Sequence, residues 1–197
     1  MSETTNGEMY TTKKGDVGWL TIANPQNRNA MNLSMYKMVP SAIHELVTSG
    51  IRDEAFGAGS DISEFAALRQ KENSHIYDKA ELEAHEAIER ANVPTIAMIH
   101  GACRGGGLAI ALACDLRYAS EDASFVAPPA KLGIAFPHAA LESLVATIGA
   151  AHANYLLLTA STIGSDEAYR IGLVNGVSDK SQLEQAVNSI ADKICGL

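Results

Sequence analysis

Apolar residues in this chain fall into short runs of two kinds, some alternating and some spaced at the helical period. Val17-Gly-Trp-Leu-Thr-Ile-Ala23 reads as a strand, closed by the turn signal Asn24-Pro25. A helix follows, capped by Asn32 or Ser34, continuing through Ile43, Leu46 and Val47, and kinked or restarted at Pro40. Ser49-Gly50 leads into a turn-rich loop, Phe56-Gly-Ala-Gly-Ser-Asp61, after which Asp61 or Ser63 starts a short helix through Phe65 and Leu68. Residues 73–91 place Ile76, Ala80, Ala84, Ala87 and Ile88 among charges, the pattern of an amphipathic helix. Thr95–His100 is a buried strand, Gly105–Gly107 a turn and Leu108–Ala113 a buried helix. Short strands near Leu116–Ala119 and Ser124–Val126 come before Pro128-Pro129. Helical patterns then occupy 139–148, 150–159, 165–171 and 181–194, with a brief strand at Leu173–Val177. Strands alternating with helices, without a fixed-period repeat or low-complexity linker, predict an α/β or α+β domain.

Composition narrows the class. A chain of 197 residues is most simply one domain with a sizeable core, and 47% hydrophobic with 19% charged residues is the balance of a soluble globular protein. A net charge of −8 argues against nucleic acid or an anionic membrane as the main partner. The first sixteen residues, MSETTNGEMYTTKKGD, are polar and lack a signal peptide's apolar core, and no apolar run nears the ~18 residues of a membrane span. Cys103, Cys114 and Cys195 form an odd set without a CxxC pair, which suits a reducing compartment, and a cytoplasmic location is expected.

Most familiar site motifs fail on spacing. GACRGGG at 101–107 is neither a dinucleotide fingerprint nor a P-loop, and Gly57-Ala-Gly59 lacks its third glycine because Ile62 stands there. No G-x-S-x-G elbow is present. His85-Glu86-Ala-Ile-Glu89 has a glutamate where a zinc helix needs its second histidine, so it is read as a solvated helix face; His44 and His75 are read as surface residues, and no metal site is expected. Cys103 is read as a buried, inert thiol. What remains is two glycine-bearing loops, 56–61 and 101–107, each leading into a helix. Converging N–H groups at two helix starts would stabilise a carbonyl oxygen that gains charge; alternatively, the glycines merely allow tight packing.

Several segments in order resemble the crotonase family, the enoyl-CoA hydratase/isomerase group. They are Asn24–Met31, Ala55–Phe65, residues 95–118 with the glycine triplet and Ala-Cys-Asp-Leu-Arg, Lys131–Ile134, Leu156–Thr159 and Glu167–Asn175. The resemblance implies an α/β crotonase-like fold of repeated ββα units in a single domain, with the core at 1–138 and a helical part at 139–197. It implies an acyl-CoA thioester as ligand, with coenzyme A carried by the substrate and no separate cofactor, fatty-acid metabolism as the setting, and a homotrimer or hexamer. The thioester oxygen would lie between the backbone N–H groups of Ser60 and Gly106. Ala58, Gly59, Ser60, Asp61, Ile62, Ser63 and Gly105 would line the thioester and coenzyme, and Arg28 and Asn29 would approach the CoA nucleotide.

Three departures stand out against this resemblance. The family's two proton-handling glutamates are replaced by Ala109 and Pro129, which cannot transfer protons. Ser49–Glu54 is too short for the apolar strand expected there, and the chain ends at Leu197, ahead of the family's last helices. A substitute acid–base pair is sought in His138 and Glu142, four residues apart on one helical face, while Arg104 is a possible anion contact. Two readings follow: an acyl-CoA enzyme whose ordinary hydratase activity is in doubt, or a non-catalytic acyl-CoA-binding paralogue.

Overall fold

Among the described residues, two strands lead into a helix three times. The computed structural model describes residues 7–27, 29–48 and 74–196. The first unit is β1 (Glu8–Lys14), β2 (Val17–Ala23) and α1 (Leu33–Thr48), followed by the helix α2 (Ser74–Glu89). The second is β3 (Ile96–Ile99), β4 (Ala102–Arg104) and α3 (Gly106–Ala113); the third is β5 (Leu116–Ser120), β6 (Ser124–Val126) and the single turn α4 (Pro129–Leu132). The helical part follows: α5 (His138–Thr159), the short β7 (Ile163–Gly164), α6 (Ser165–Arg170), β8 (Gly176–Ser178) and α7 (Leu183–Cys195). The expected ββα repetition is therefore present.

Pairing between units builds the sheets. The leading strands β3 and β5 run parallel, Ile96 opposite Leu116 and Ile99 opposite Ala119, and β8 extends them in the order β3-β5-β8. The second strands form a separate sheet, β4-β6-β7, with β4 parallel and β7 antiparallel to β6. Among the described residues, the β1–β2 hairpin is a sheet of its own. Helix α7 bridges it to β3: Trp19 of β2 packs with Leu183 and Val187, and Ile96, Met98 and Tyr118 lie against the same cluster.

Several local expectations are corrected. Residues 8–14 form a strand although only Met9 is buried there, because β1 is held through its backbone ladder to β2. Asn32, not Ser34, caps α1: its Oδ1 accepts from the Met35 N–H at 2.9 Å. Helix α1 runs through Pro40 without ending. The break at residue 149 is present, since Gly149 at φ 74° interrupts α5. Leu173 and Val174 are buried from a turn after Gly172 (φ 79°), so the last strand starts at Gly176. The short strand inferred missing at 49–54, the loop at 56–61 and the helix through Phe65 all lie outside the described residues.

Candidate functional site

The glycine triplet ends β4 and starts a helix. Gly105 donates its N–H to the Val126 carbonyl at 3.0 Å, continuing the β4–β6 pairing by one residue. Its φ of 48° turns the chain away from the sheet, and a Cβ there would meet the Pro128 ring only at an ordinary 3.8 Å. Glycine is needed for the dihedral, then, not for space. The Gly105 carbonyl accepts the first helical bond, from the Ala109 N–H at 2.9 Å. The N–H groups of Gly106, Gly107 and Leu108 therefore lie ahead of the helical ladder, at the positive end of the α3 dipole. Gly107 to Ala113 are buried, whereas Gly105 and Gly106 at that end are half-buried, so its amides border the surface of the core.

Gly106 and Ala109 share a cavity of about 20 Å³, room for roughly one water, with Glu81 and His85 of α2 and Pro137 and Ala139 at the start of α5. His85 is 3% exposed, contrary to the solvated face expected for it. The buried side of α2 is Tyr77, Ala80, Glu81, Ala84, His85 and Ile88, whereas Ile76 is 40% exposed. Alanines at 80, 84 and 87 mark the helical period weakly, so the phase is set by Tyr77, whose hydroxyl donates to the Met31 carbonyl at 3.1 Å. His85 satisfies its ring nitrogens on two other helices. Nδ1 lies 3.2 Å from the Ala109 carbonyl, which accepts only, so Nδ1 carries hydrogen. Nε2 lies 3.4 Å from the Ser143 hydroxyl. Burial pushes the imidazole pKa below its ordinary value, opposed by Glu89, the Ala109 carbonyl and Glu86.

The remaining candidates are distributed as follows. His138 and Glu142 do meet, Nδ1 to Oε2 at 3.5 Å, but their side chains are 83% and 72% exposed. The first turn of α5 turns Pro137, Ala139 and Ala140 to the cavity, and the shared face of the His138–Glu142 pair points to solvent instead. Asn29 is buried in the αL region (φ 58°), and its Oδ1 accepts from the Asn24 N–H at 2.7 Å, so half of its amide holds the 24–30 turn. Ala109 is buried on α3 and Pro129 is buried at the first position of α4. Arg104 is exposed at the end of β4. Cys103 is fully buried with its pKa raised, and burial pushes the Cys114 thiol up to about 12, so neither is a thiolate nucleophile near neutral pH. Arg28 and the whole of Ala58, Gly59, Ser60, Asp61, Ile62 and Ser63 lie outside the described residues. Among the described residues no three His, Cys, Asp or Glu side chains converge, and no helix is long and apolar enough to cross a membrane.

Comparison with known proteins gives the family. The family model described as enoyl-CoA hydratase/isomerase matches residues 12–196. A short-chain-enoyl-CoA hydratase of Clostridium acetobutylicum is 34% identical over 191 residues, covering 92% of this chain and 73% of that protein. A peroxisomal Delta(3,5)-Delta(2,4)-dienoyl-CoA isomerase of Arabidopsis thaliana is 34% identical over 198 residues, covering 90% and 71%. Among solved structures, the enoyl-CoA hydratase of Bacillus anthracis superposes with a TM-score of 0.89 at 26% identity, covering 96% of this chain and 77% of that one. The chain carries the crotonase fold and belongs to the enoyl-CoA hydratase/isomerase family.

Proposed function

We propose that this protein binds an acyl-CoA thioester and polarises its carbonyl with backbone N–H groups, one from Gly106 and a second from Ser60. The observation that carries this reading is the start of α3, where the Gly106 amide precedes the helical ladder and Gly106 lines the small cavity it shares with α2 and the start of α5. A thioester oxygen gains charge when a proton leaves the adjacent carbon, and an amide at a helix N-terminus stabilises that charge more than it stabilises the ground state. The hydratase and isomerase names of the relatives support an activity of this class, either addition of water to an enoyl group or movement of its double bond.

Ala109 and Pro129 can neither take up nor give a proton, so ordinary hydration is in doubt and any turnover depends on another proton-carrying group. Calorimetry with crotonyl-CoA, followed by optical assays of hydration and isomerisation, tests the reading. Tight binding with turnover supports an enzyme. Binding without turnover of any thioester identifies an acyl-CoA-binding paralogue, and absence of binding refutes the proposal. The protein is further proposed to self-associate: Tyr155 and Leu158, one helical turn apart on α5, are 55% and 78% exposed, and sedimentation measures the outcome.

A further inference from the structure

Position 109 carries no carboxylate, and the cavity that Ala109 lines is also lined by His85 of α2, a side chain that can carry a proton. We propose that His85, reaching the cavity from α2, is the proton-transfer residue of this site, with Nε2 as the reacting atom. The proposal rests on the thioester-binding reading above and names the group that reading lacks.

Three observations carry it. His85 shares one cavity with Gly106 and Ala109, so the imidazole and the residue assigned to the thioester oxygen border the same space. Its Nδ1 is committed to the Ala109 carbonyl, which fixes the ring and leaves the lone pair of the neutral form on Nε2. The Ser143 hydroxyl accommodates both charge states. It donates to the resting neutral Nε2 at 3.4 Å, and turning its hydrogen to the Ala139 carbonyl at 3.1 Å frees the Nε2 lone pair to take up a proton.

The charged surroundings favour a neutral ring that can still take up a proton. On α2, Glu81 lines the same cavity one turn before His85, and Glu86 and Glu89 follow it. Facing it on α3, residues 106–113 are all uncharged; on α1 the cavity is met by Tyr36; on α5 the only nearby charges, His138 and Glu142, point to solvent. The carboxylates of α2 stabilise the imidazolium as it forms, while burial keeps the resting ring neutral.

The step balances without a co-reactant. Nε2 takes the proton from the carbon next to the thioester carbonyl. The C–H electron pair moves into the carbon–carbon bond, and the carbonyl becomes an enolate oxygen facing Gly106. The imidazolium then returns its proton to the same carbon, giving exchange, or to the carbon two positions further along, moving a double bond.

The test is exchange of the α-protons of butyryl-CoA in D₂O, followed by proton NMR, with His85→Asn as the main variant. Asparagine keeps an N–H for the Ala109 carbonyl but cannot take up a proton. The wild-type chain should exchange, with a rate that rises with pH through a value below 6.5 and then levels. H85N should bind butyryl-CoA within about threefold of wild type and exchange at least ~10² more slowly, without that pH limb. Wild-type exchange rates in H85N overturn the role of His85 while leaving the thioester site standing, as does a wild-type chain that binds butyryl-CoA without exchanging it. A wild-type chain that binds no acyl-CoA refutes the site and this role together. Should H85N not fold, the wild-type imidazole titration seen by NMR must coincide with the rate limb, and a mismatch overturns the assignment.

Discussion

Arg117 is a buried charged group that ties the site helix to the sheet. It lies on β5 opposite Ala97 and is only 8% exposed. Its Nε donates to the Leu173 carbonyl at 2.9 Å, and its Nη1 donates to the Cys114 carbonyl at 2.5 Å and, more weakly, to Ala111 at 3.5 Å. Ala111 and Cys114 are at the C-terminal end of α3, whose dipole favours a cation, so the guanidinium ties the far end of the Gly106 helix to the sheet and to the Leu173 turn. Arg117→Met keeps the aliphatic stem and removes the two short charge-assisted bonds, each about 1.5–3 kcal/mol. Burying the guanidinium costs part of that, since its pKa is lowered chiefly by burial, so the net loss should be about 2–4 kcal/mol. For a chain of this length that is a fall in Tm of about 4–16 °C. Arg117→Lys should recover less than half, because an ammonium cannot span two carbonyls as a planar fork does. Thermal melts followed by circular dichroism measure both. An R117M melt within a degree of wild type would refute the argument that this arginine clamps α3.

Two further outcomes separate the site from the scaffold. Gly106→Pro removes the N–H assigned to the thioester oxygen at the first helical position, where proline is best tolerated. It should lower kcat/KM for the preferred thioester by ~10²–10³ with little change in Tm. Asp122 accepts hydrogen bonds from Ser120 and Lys180, which hold its carboxyl below the usual carboxylate value of 3.8. A depressed folded-state pKa adds stability above about pH 3.8 that is lost as the pH falls through the folded value. The Tm gap between wild type and Asp122→Asn should therefore be constant near neutrality and close below that pH.

How much of this was legible depended on how strongly each feature is written in side chains. The glycine triplet signalled a helix start because the backbone there demands φ 48°, a requirement that glycine states directly. The break at Gly149 was visible for the same reason. Strand β1 was not, since one buried residue in seven leaves no alternation to read; the Gly15-Asp16 turn before Val17 was its only signal. His85 was missed because α2 buries alanines, whose small apolar weight lets the helix be phased wrongly. Spacing from Tyr77 through Ala80, Ala84 and Ile88 would have placed His85 beside the buried stripe. His138 and Glu142 were correctly paired, but spacing gives a shared face without saying which way that face points.

The central claim is that a thioester oxygen meets the Gly106 amide, and a crystal structure of the full chain with a bound acyl-CoA measures it directly. The account predicts the thioester oxygen within about 3.2 Å of the Gly106 nitrogen, with the acyl α-carbon on the His85 side of the cavity. A thioester bound with its oxygen turned away from the start of α3 would contradict it.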